Sequence, residues 1–178
     1  LNSPDKYGDT TVTMAASKVN LSTLAFLLKN RAIVDPVGKD GMTPLMHACD
    51  RGHKNVARLL LAIGADPNEP DSFGRTALHF AAMLSPFSIR SLLLLLEKGV
   101  DVNEHDSLGC RAIIYASKAG QVAIIDVLLE HGGDIDSPDL RGDTTVDPVR
   151  GYGRTPVMLA AERGHAPCAL ALLSAGAD

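Results

Sequence analysis

Apolar residues come in pairs of short blocks along the whole chain, and polar stretches that contain glycine separate the pairs. In each pair an alanine-rich block precedes a leucine-rich block, such as Leu59–Leu61 or Leu92–Leu96. Small and unbranched side chains favour helices over strands, so each pair predicts two short helices joined by a turn. The apolar blocks are much shorter than the roughly 20 residues that a membrane-spanning helix needs.

The pairs recur at a nearly constant spacing. A glycine opens each copy, and the steps from one such glycine to the next are 33, 33, 35 and 44 residues. The chain of 178 residues therefore divides into repeats 1 to 5, which span residues 8–40, 41–73, 74–108, 109–141 and 153–178. We predict a single domain over residues 1–178. Residues 142–152 form an insertion before repeat 5, and both a functional and a neutral loop are compatible with it.

Each repeat carries signals that start and stop its two helices. A threonine suited to N-capping precedes the first helix, and a proline suits the first helical position. Glycines suited to a left-handed cap end the second helix, and an aspartate that can bond its own backbone marks the next turn. The capping threonines are Thr43, Thr76 and Thr155, and the prolines are Pro44 and Pro156. The glycines that end the second helix are Gly64, Gly99, Gly132 and Gly176, and the turn aspartates are Asp71, Asp106 and Asp139.

The segments that begin with Thr43-Pro44-Leu45 and with Gly64-Ala65-Asp66 resemble those of ankyrin repeats. The resemblance covers the chain from about Asp5 to Asp178. It implies an all-α repeat solenoid, in which helix–loop–helix units stack side by side and β-hairpin fingers join them. One such unit cannot bury its own apolar face, whereas a stack of units can.

Several repeats depart from this pattern. In repeat 1, Val19 and Arg31 stand where glycine is usual, which is typical of a terminal unit but is also compatible with a specialised surface. In repeat 3, Ser85-Pro86 predicts an early start of the second helix. In repeat 4, Arg111 replaces the capping threonine, so we expect its first helix to fray. No polar capping helix follows repeat 5, so we expect a fragment of a longer protein.

Charge and cysteine content narrow the possible partners and the cellular compartment. The formal net charge is −4, with a pI near 5.8, whereas nucleic-acid binders carry a clustered basic face. No signal peptide is recognisable at the start of the chain, and the three cysteines form no CxxC pair, which favours reduced thiols. We therefore predict an intracellular protein, in the cytoplasm with the nucleus as the alternative, that neither binds nucleic acid nor inserts into a membrane.

The residue patterns give no indication of catalysis, a metal ion or a cofactor. His53 and His165 occupy the same position of their repeats, and His79 stands where the family usually has histidine, so repetition accounts for them without a metal. The sequence contains no HExxH, GxSxG or Walker-type glycine loop. We therefore predict a chain with no catalytic residue, no metal and no cofactor.

The resemblance implies a protein that binds other proteins through hairpin tips and the ends of the first helices, which line a concave groove. Four repeats carry a large apolar residue beside the turn glycine, at Tyr7, Phe73, Leu108 and Tyr152. Such side chains either pack on the next hairpin or form a hot spot together with arginine. The candidate partner-binding residues are Tyr7, Lys39, Asp40, Met42, Arg51, Phe73, Arg75, Met83, Leu84, Leu108, Cys110, Lys118, Tyr152 and Arg154.

We expect the centre of this groove to contain Met42, Phe73, Arg75, Met83, Leu108 and Cys110. The predicted function is a protein-interaction scaffold that binds a partner protein or peptide. The alternative is a regulatory array that belongs to a larger enzyme or channel. Asn103 stands where the family can be a target of an asparaginyl hydroxylase, although a hairpin asparagine that only makes local hydrogen bonds fits the sequence as well.

Overall fold

A computed structural model of the chain describes residues 3–6, 8–83, 88–139 and 153–178. Its helices group into two compact units, Leu1–Val100 and Asp101–Asp178, which we call unit 1 and unit 2. Repeats 1 to 3 lie essentially in unit 1, and repeats 4 and 5 lie in unit 2. The single domain predicted across residues 1–178 stays a prediction.

Unit 1 consists of three pairs of short helices, one pair for each repeat. The helices are α1 (Thr11–Ser17) and α2 (Leu21–Lys29), α3 (Pro44–Asp50) and α4 (Lys54–Ala62), and α5 (Ala77–Met83) and α6 (Ile89–Glu97), with a 3-10 turn at Lys39–Gly41. The first helices pack on one another, α1 on α3 and α3 on α5, and α4 packs on α6. Each pair therefore buries its apolar face against the next, as the repeat pattern predicts.

Unit 2 repeats the arrangement with two pairs. They are α7 (Ala112–Ala119) and α8 (Val122–Glu130), and α9 (Pro156–Glu162) and α10 (Ala166–Ser174). Helix α7 packs on α9, and α8 packs on α10. Cys110, Ile114 and Leu159 form a buried cluster between the two first helices. No helix of the described residues has the length and apolar character to cross a membrane.

The predicted start signals at Thr43 and Thr155 act as expected. The hydroxyl of Thr43 accepts the backbone N–H of Met46, the hydroxyl of Thr155 accepts that of Met158, and Pro44 and Pro156 lie in the first turns of α3 and α9. Arg111, which replaces threonine before α7, makes no side-chain cap. Because an N-cap hydrogen bond stabilises a helix by about 1 kcal/mol, α7 depends more on its buried face.

Repeat 1 holds three non-glycine residues in the left-handed conformation, and two of them, Val19 and Arg31, stand where glycine is usual. Val19 has φ 58° and Arg31 has φ 62°, whereas the corresponding residues of repeat 2, Gly52 and Gly64, have φ 69° and 96°. The backbone of each turn is thus kept although the residue that favours it is missing. Such positions cost L-residues about 1 to 2 kcal/mol each.

Within the described residues, the segments that join the repeats are tight turns without a strand, and one isolated bridge pairs His105 with Arg111. The predicted β-hairpins are reduced there to short closures, such as the backbone hydrogen bond from the N–H of Asp71 to the carbonyl of Arg75 at 2.9 Å. The buried aspartates supply further hydrogen bonds to the backbone of these turns. For the second helix of repeat 3, the expected cap at Ser85-Pro86 lies outside the described residues, and α6 is described from Ile89 onward.

Candidate partner-binding surface

Three of the inter-repeat turns contain a buried aspartate, at Asp71, Asp106 and Asp139. In unit 1, Oδ1 of Asp71 accepts the backbone N–H groups of Phe73 (2.9 Å) and Arg75 (2.8 Å). In unit 2, Oδ1 of Asp106 accepts those of Leu108 and Cys110, both at 2.8 Å. An ionised acceptor makes strong hydrogen bonds to backbone N–H groups. The aspartate therefore fixes the backbone on which the apolar tip residue is carried.

The second oxygen of Asp71 holds Arg75. Oδ2 accepts from Nε of Arg75 at 2.8 Å and lies 2.6 Å from one of its terminal nitrogens, so two guanidinium nitrogens share this one oxygen. The guanidinium lies 4.7 Å from the ring centre of Phe80 and 5.0 Å from that of Phe73. Asp71, Phe73, Arg75 and Phe80 form one cluster, which we call the aromatic–arginine tip.

The members of the aromatic–arginine tip differ in exposure. Asp71 and Phe80 are buried, and the Arg75 side chain keeps 23% of its surface exposed. Phe73 keeps 52% of its surface exposed. The sequence left open whether Phe73 packs sideways on a neighbouring hairpin, and the structure leaves most of it in solvent.

The neighbouring turn approaches the aromatic–arginine tip closely. The backbone N–H of Ser72 donates to the carbonyl of Asp40 at 2.9 Å. A Cβ on Gly41, which has φ 81°, would lie 2.6 Å from the Ser72 nitrogen, so only glycine permits this spacing. Exposed Asp40 and half-buried Met42 therefore lie beside the tip that carries Phe73.

Further candidate residues lie at the ends of the first helices in unit 1. Met83 ends α5 and is half-buried, and exposed Arg51 follows directly on α3, which packs on α5. His47 of α3, which sequence reasoning did not select, is also half-buried. Burial lowers the pKa of His47 below its usual value, while the nearby carboxylates of Asp9 and Asp50 oppose that effect. His47 is therefore mainly neutral at pH 7.

The corresponding site in unit 2 is more buried. Leu108 is exposed (40%), but Cys110 is fully buried, so we leave Cys110 out of the surface. The expectation of an exposed tip residue is wrong there because its side chain joins the core with Ile114 and Leu159. Its sequence position did not reveal this, since the equivalent Arg75 in unit 1 points along the surface.

Lys118 belongs to a largely buried network. Its Nζ lies 3.6 Å from Oδ2 of Asp139, 3.8 Å from Sγ of Cys110 and 5.7 Å from the ring centre of Tyr115. The Tyr115 hydroxyl donates to Oδ2 of Asp106. Each turn aspartate thus has a different partner for its second oxygen. Lys118 is engaged within unit 2 and keeps only 19% of its side chain exposed.

Of the remaining candidates, only Arg154 is fully described by the structure. Arg154 pairs with Glu162 at 2.6 Å, with both side chains about half exposed, a kind of pair that adds little stability. Tyr7, Leu84 and Tyr152 lie outside the described residues, as does the side chain of Lys39. The six residues expected at the groove centre divide between the units, with four in unit 1, and Leu108 and Cys110 in unit 2.

Asn103, near the end of repeat 3, links that repeat to repeat 4. Its Nδ2 donates to the carbonyl of Gly132 at 3.0 Å, and its Oδ1 accepts the backbone N–H of Asp134 at 2.7 Å. Its own carbonyl accepts from Nε of Arg111 at 2.9 Å. The side chain thus has a structural role, and its hydroxylation stays a prediction.

The histidines with repeat-related positions also contact the backbone or a cap. Nε2 of His53 lies 3.2 Å from the Ser17 carbonyl, and Nε2 of His165 lies 3.1 Å from the Lys118 carbonyl. His79 is buried and accepts the backbone N–H of Thr76. No group of three or more possible metal ligands occurs among the residues that the structure describes.

Comparison with known proteins shows which proteins these repeats are similar to. The profile of the family described as "Ankyrin repeats" matches three times, over residues 1–71, 62–139 and 92–178. The similar proteins include an ankyrin repeat and LEM domain-containing protein 1 homolog from Caenorhabditis elegans, which is 39% identical over 67 residues, 38% of this chain. The E3 ubiquitin-protein ligase XBAT33 from Arabidopsis thaliana is 39% identical over 84 residues, 47% of this chain.

A third relative is the human ankyrin repeat and KH domain-containing protein 1, which is 36% identical over 88 residues, 48% of this chain. The matched segments cover 10%, 15% and 4% of the worm, plant and human proteins, respectively. These relatives therefore share a stretch of repeats with the chain. The family profile covers the whole sequence, and the chain belongs to the ankyrin-repeat family.

Proposed function

We propose that the chain is a non-catalytic module that binds a partner protein, or an extended peptide segment of it, through the aromatic–arginine tip and its neighbours in unit 1. Ankyrin repeats generally mediate protein–protein interaction. The observation that carries the proposal is the large exposed fraction of Phe73 on a turn that Asp71 and Arg75 hold in place.

An exposed aromatic ring on an ordered turn suits binding for two reasons. Burying a phenylalanine side chain is worth about 1.5 to 3 kcal/mol, and aromatic residues and arginine are enriched among the residues that dominate binding energy. In addition, Phe73 is carried by backbone that Asp71 already fixes, so little ordering entropy is lost on association.

The surroundings favour a partner segment with both apolar and charged groups. Half-buried Met42 and Met83 can adapt their shape to a ligand because methionine is flexible and polarizable. Exposed Asp40 and Arg51 carry opposite charges. Arg75 is already paired with Asp71, so we assign it to support Phe73 rather than to meet a free carboxylate.

The alternative proposal is that the repeats regulate a larger enzyme. Its support is that one similar protein is an E3 ubiquitin-protein ligase of which the matched segment covers only 15%. The aromatic–arginine tip would then bind that protein's own domain or its substrate. In either case we propose an intracellular role, in the cytoplasm or alternatively the nucleus, without nucleic-acid binding, membrane insertion or a cofactor in the repeats.

The test compares two exposed phenylalanines of unit 1. Phe26 on α2 is 64% exposed but lies outside the candidate surface, so Phe26→Ala is the matched control for Phe73→Ala. Proteins captured from a lysate by the wild-type chain and by each variant are quantified by mass spectrometry.

We expect a defined set of proteins to be lost with Phe73→Ala and retained with Phe26→Ala. Both variants must keep the wild-type circular-dichroism spectrum. Equal capture by the wild type and Phe73→Ala would contradict the proposal, and loss with both variants would point to non-specific apolar adhesion.

A further inference from the structure

A cysteine, a lysine and an aspartate come together inside unit 2. Nζ of Lys118 lies 3.8 Å from Sγ of Cys110 and 3.6 Å from Oδ2 of Asp139. The thiol of Cys110 is fully buried and is not in a disulfide, and Asp139 keeps only 2% of its side chain exposed. We call Cys110, Lys118 and Asp139 the thiol–amine cluster. It belongs to unit 2, whereas the aromatic–arginine tip belongs to unit 1.

The surroundings of Cys110 differ from those of the other two cysteines. Cys49 and Cys168 are also buried, and burial, with a smaller effect of a nearby aspartate, raises the pKa of each thiol, to about 12 for Cys49. Such thiols are inert because the thiolate is the reactive form. Cys110 instead lies against a lysine ammonium, and a cation beside a cysteine favours the thiolate. Cys110 is therefore the cysteine that an oxidant attacks first.

We propose that the thiol–amine cluster is an oxidation-sensitive modification site, at which hydrogen peroxide joins Sγ of Cys110 to Nζ of Lys118 in a sulfenamide bond. Peroxide is a small molecule, and the cluster reaches solvent through Lys118, which keeps 19% of its side chain exposed. The four-carbon stem of a lysine is flexible, so its nitrogen can close the 3.8 Å that separates it from the sulfur.

The bond forms in two steps that balance. In the first, the Cys110 thiolate attacks one oxygen of hydrogen peroxide and becomes a sulfenic acid, while the O–O bond breaks and the other oxygen takes up a proton and leaves as water. In the second, Nζ of Lys118 gives one proton to the carboxylate of Asp139 and attacks the sulfur. The sulfenic hydroxyl then leaves as water with a second proton from the nitrogen. The sulfur is oxidised by two electrons, and the peroxide is reduced by two.

The new bond would join the two ends of α7. Cys110 lies two residues before Ala112, where α7 begins, and Lys118 lies in its last turn. Arg111 supplies no side-chain cap to this helix, so α7 depends more on its buried face. A covalent bond between its ends should therefore slow its opening, and the bond removes the ammonium that faces Asp139.

The test is mass spectrometry of the whole chain after exposure to hydrogen peroxide, with digestion before any reduction. Trypsin cleaves after Arg111 but not after a Lys118 whose nitrogen is bonded, so the bond joins residues 99–111 to residues 112–141. The linked pair should be lighter than its two peptides together by two hydrogen atoms. It should come apart with dithiothreitol, because a thiol attacks the sulfur of a sulfenamide.

Lys118→Arg is the matched variant, because a guanidinium keeps the positive charge but does not lose a proton in proteins. We expect the linked pair to be lost in this variant, while the sulfenic acid of Cys110 accumulates and is labelled by dimedone once the oxidised chain is unfolded in urea. An unchanged circular-dichroism spectrum of Lys118→Arg excludes a failure to fold. In wild-type chain that is unfolded before oxidation, the yield of the linked pair should fall at least about tenfold, because the two groups are no longer held together.

Three outcomes would overturn the proposal. They are no linked pair in the oxidised wild type, an equal yield of the linked pair in folded and unfolded chains, and oxidation of Cys49 or Cys168 as fast as that of Cys110. The second outcome would show that closeness along the sequence, rather than the folded cluster, brings the two groups together.

Discussion

Replacing Asp35 by asparagine should stabilise the protein, because the carboxylate lies where an amide is needed. Asp35 and Asn103 occupy the same position of repeats 1 and 3. Oδ2 of Asp35 accepts the backbone N–H of Asp66 at 3.0 Å, as Oδ1 of Asn103 accepts that of Asp134. Nδ2 of Asn103 also donates to the Gly132 carbonyl. A carboxylate has no such donor, and Oδ1 of Asp35 is buried without a hydrogen-bond partner.

The magnitude follows from one hydrogen bond gained and one orphaned oxygen removed. A net hydrogen bond contributes about 0.5 to 1.5 kcal/mol. With the side chain of Asp35 only half-buried, we expect Asp35→Asn to add about 1 kcal/mol to the free energy of unfolding. For a chain of this size that corresponds to an increase of about 2 to 4 °C in Tm.

The effect should depend on pH in a defined direction. Burial raises the pKa of Asp35 above its usual value, and the carboxylates of Asp66 and Glu69 act in the same sense. An acid whose pKa is higher in the folded state destabilises that state once it ionises, so this contribution appears as pH rises through the raised pKa. The advantage of Asp35→Asn should therefore be largest at neutral pH and shrink on acidification below that pKa.

Urea unfolding followed by circular dichroism at pH 7 and at pH 3.5 measures this difference, with Asp136→Asn as the control. Asp136 occupies the same position of its repeat and accepts the backbone N–H of Asp178 at 3.1 Å, but it has no orphaned buried oxygen. The reasoning is refuted if Asp35→Asn is no more stable than the wild type at pH 7. It is also refuted if the gain is the same at both pH values.

Three further predictions concern stability and reactivity. Val19→Gly and Arg31→Gly should each raise the free energy of unfolding by about 0.5 to 1 kcal/mol, seen as a higher urea midpoint, because they relieve a left-handed residue at some entropic cost; Gly164→Ala, with φ 74° and open space around a new Cβ, should lower both. Thr43→Ala should cost about 1 kcal/mol through loss of its cap, measured in the same way. Cys49 is buried with its pKa raised to about 12, so mass spectrometry should find it unalkylated by iodoacetamide at pH 8 until urea is added; fast native alkylation would contradict this burial.

The sequence predicts those features that arise within one repeat. The glycine spacing, the caps at Thr43 and Thr155, and the turn aspartates such as Asp71 follow from local chemistry, because each side chain bonds backbone within a few residues. The family and the fold class could be predicted for the same reason. Local signals also repeat, so agreement between copies strengthens each of them.

Features that depend on side-chain direction could not be predicted in this way. Cys110 and Arg75 occupy the same position, yet the small thiol turns into the core while the guanidinium lies between Asp71 and two rings. Phe80 was missed because an apolar residue on a first helix reads as core. The residue at the same position of repeat 4 is Tyr115, which also lies beside a turn aspartate. That correspondence was the signal that could have identified Phe80.

The form of the turns between repeats has a similar origin. Among the described residues, the backbone N–H of Asp106 donates to the carbonyl of Cys110 at 3.0 Å, as in a hairpin, while Oδ1 of Asp106 accepts the backbone N–H groups of Leu108 and Cys110. A sequence shows that aspartate can make such bonds, but it does not show how far strand pairing extends beside them.

Phe73 is the proposed anchor for a partner protein. Isothermal titration of a captured partner segment against the wild type, Phe73→Ala and Phe26→Ala measures this most directly. Because full burial of the ring is worth about 1.5 to 3 kcal/mol, we predict that Phe73→Ala raises Kd by about ten- to a hundredfold while Phe26→Ala leaves Kd within about twofold of the wild type. Equal Kd values for the wild type and Phe73→Ala would contradict the claim.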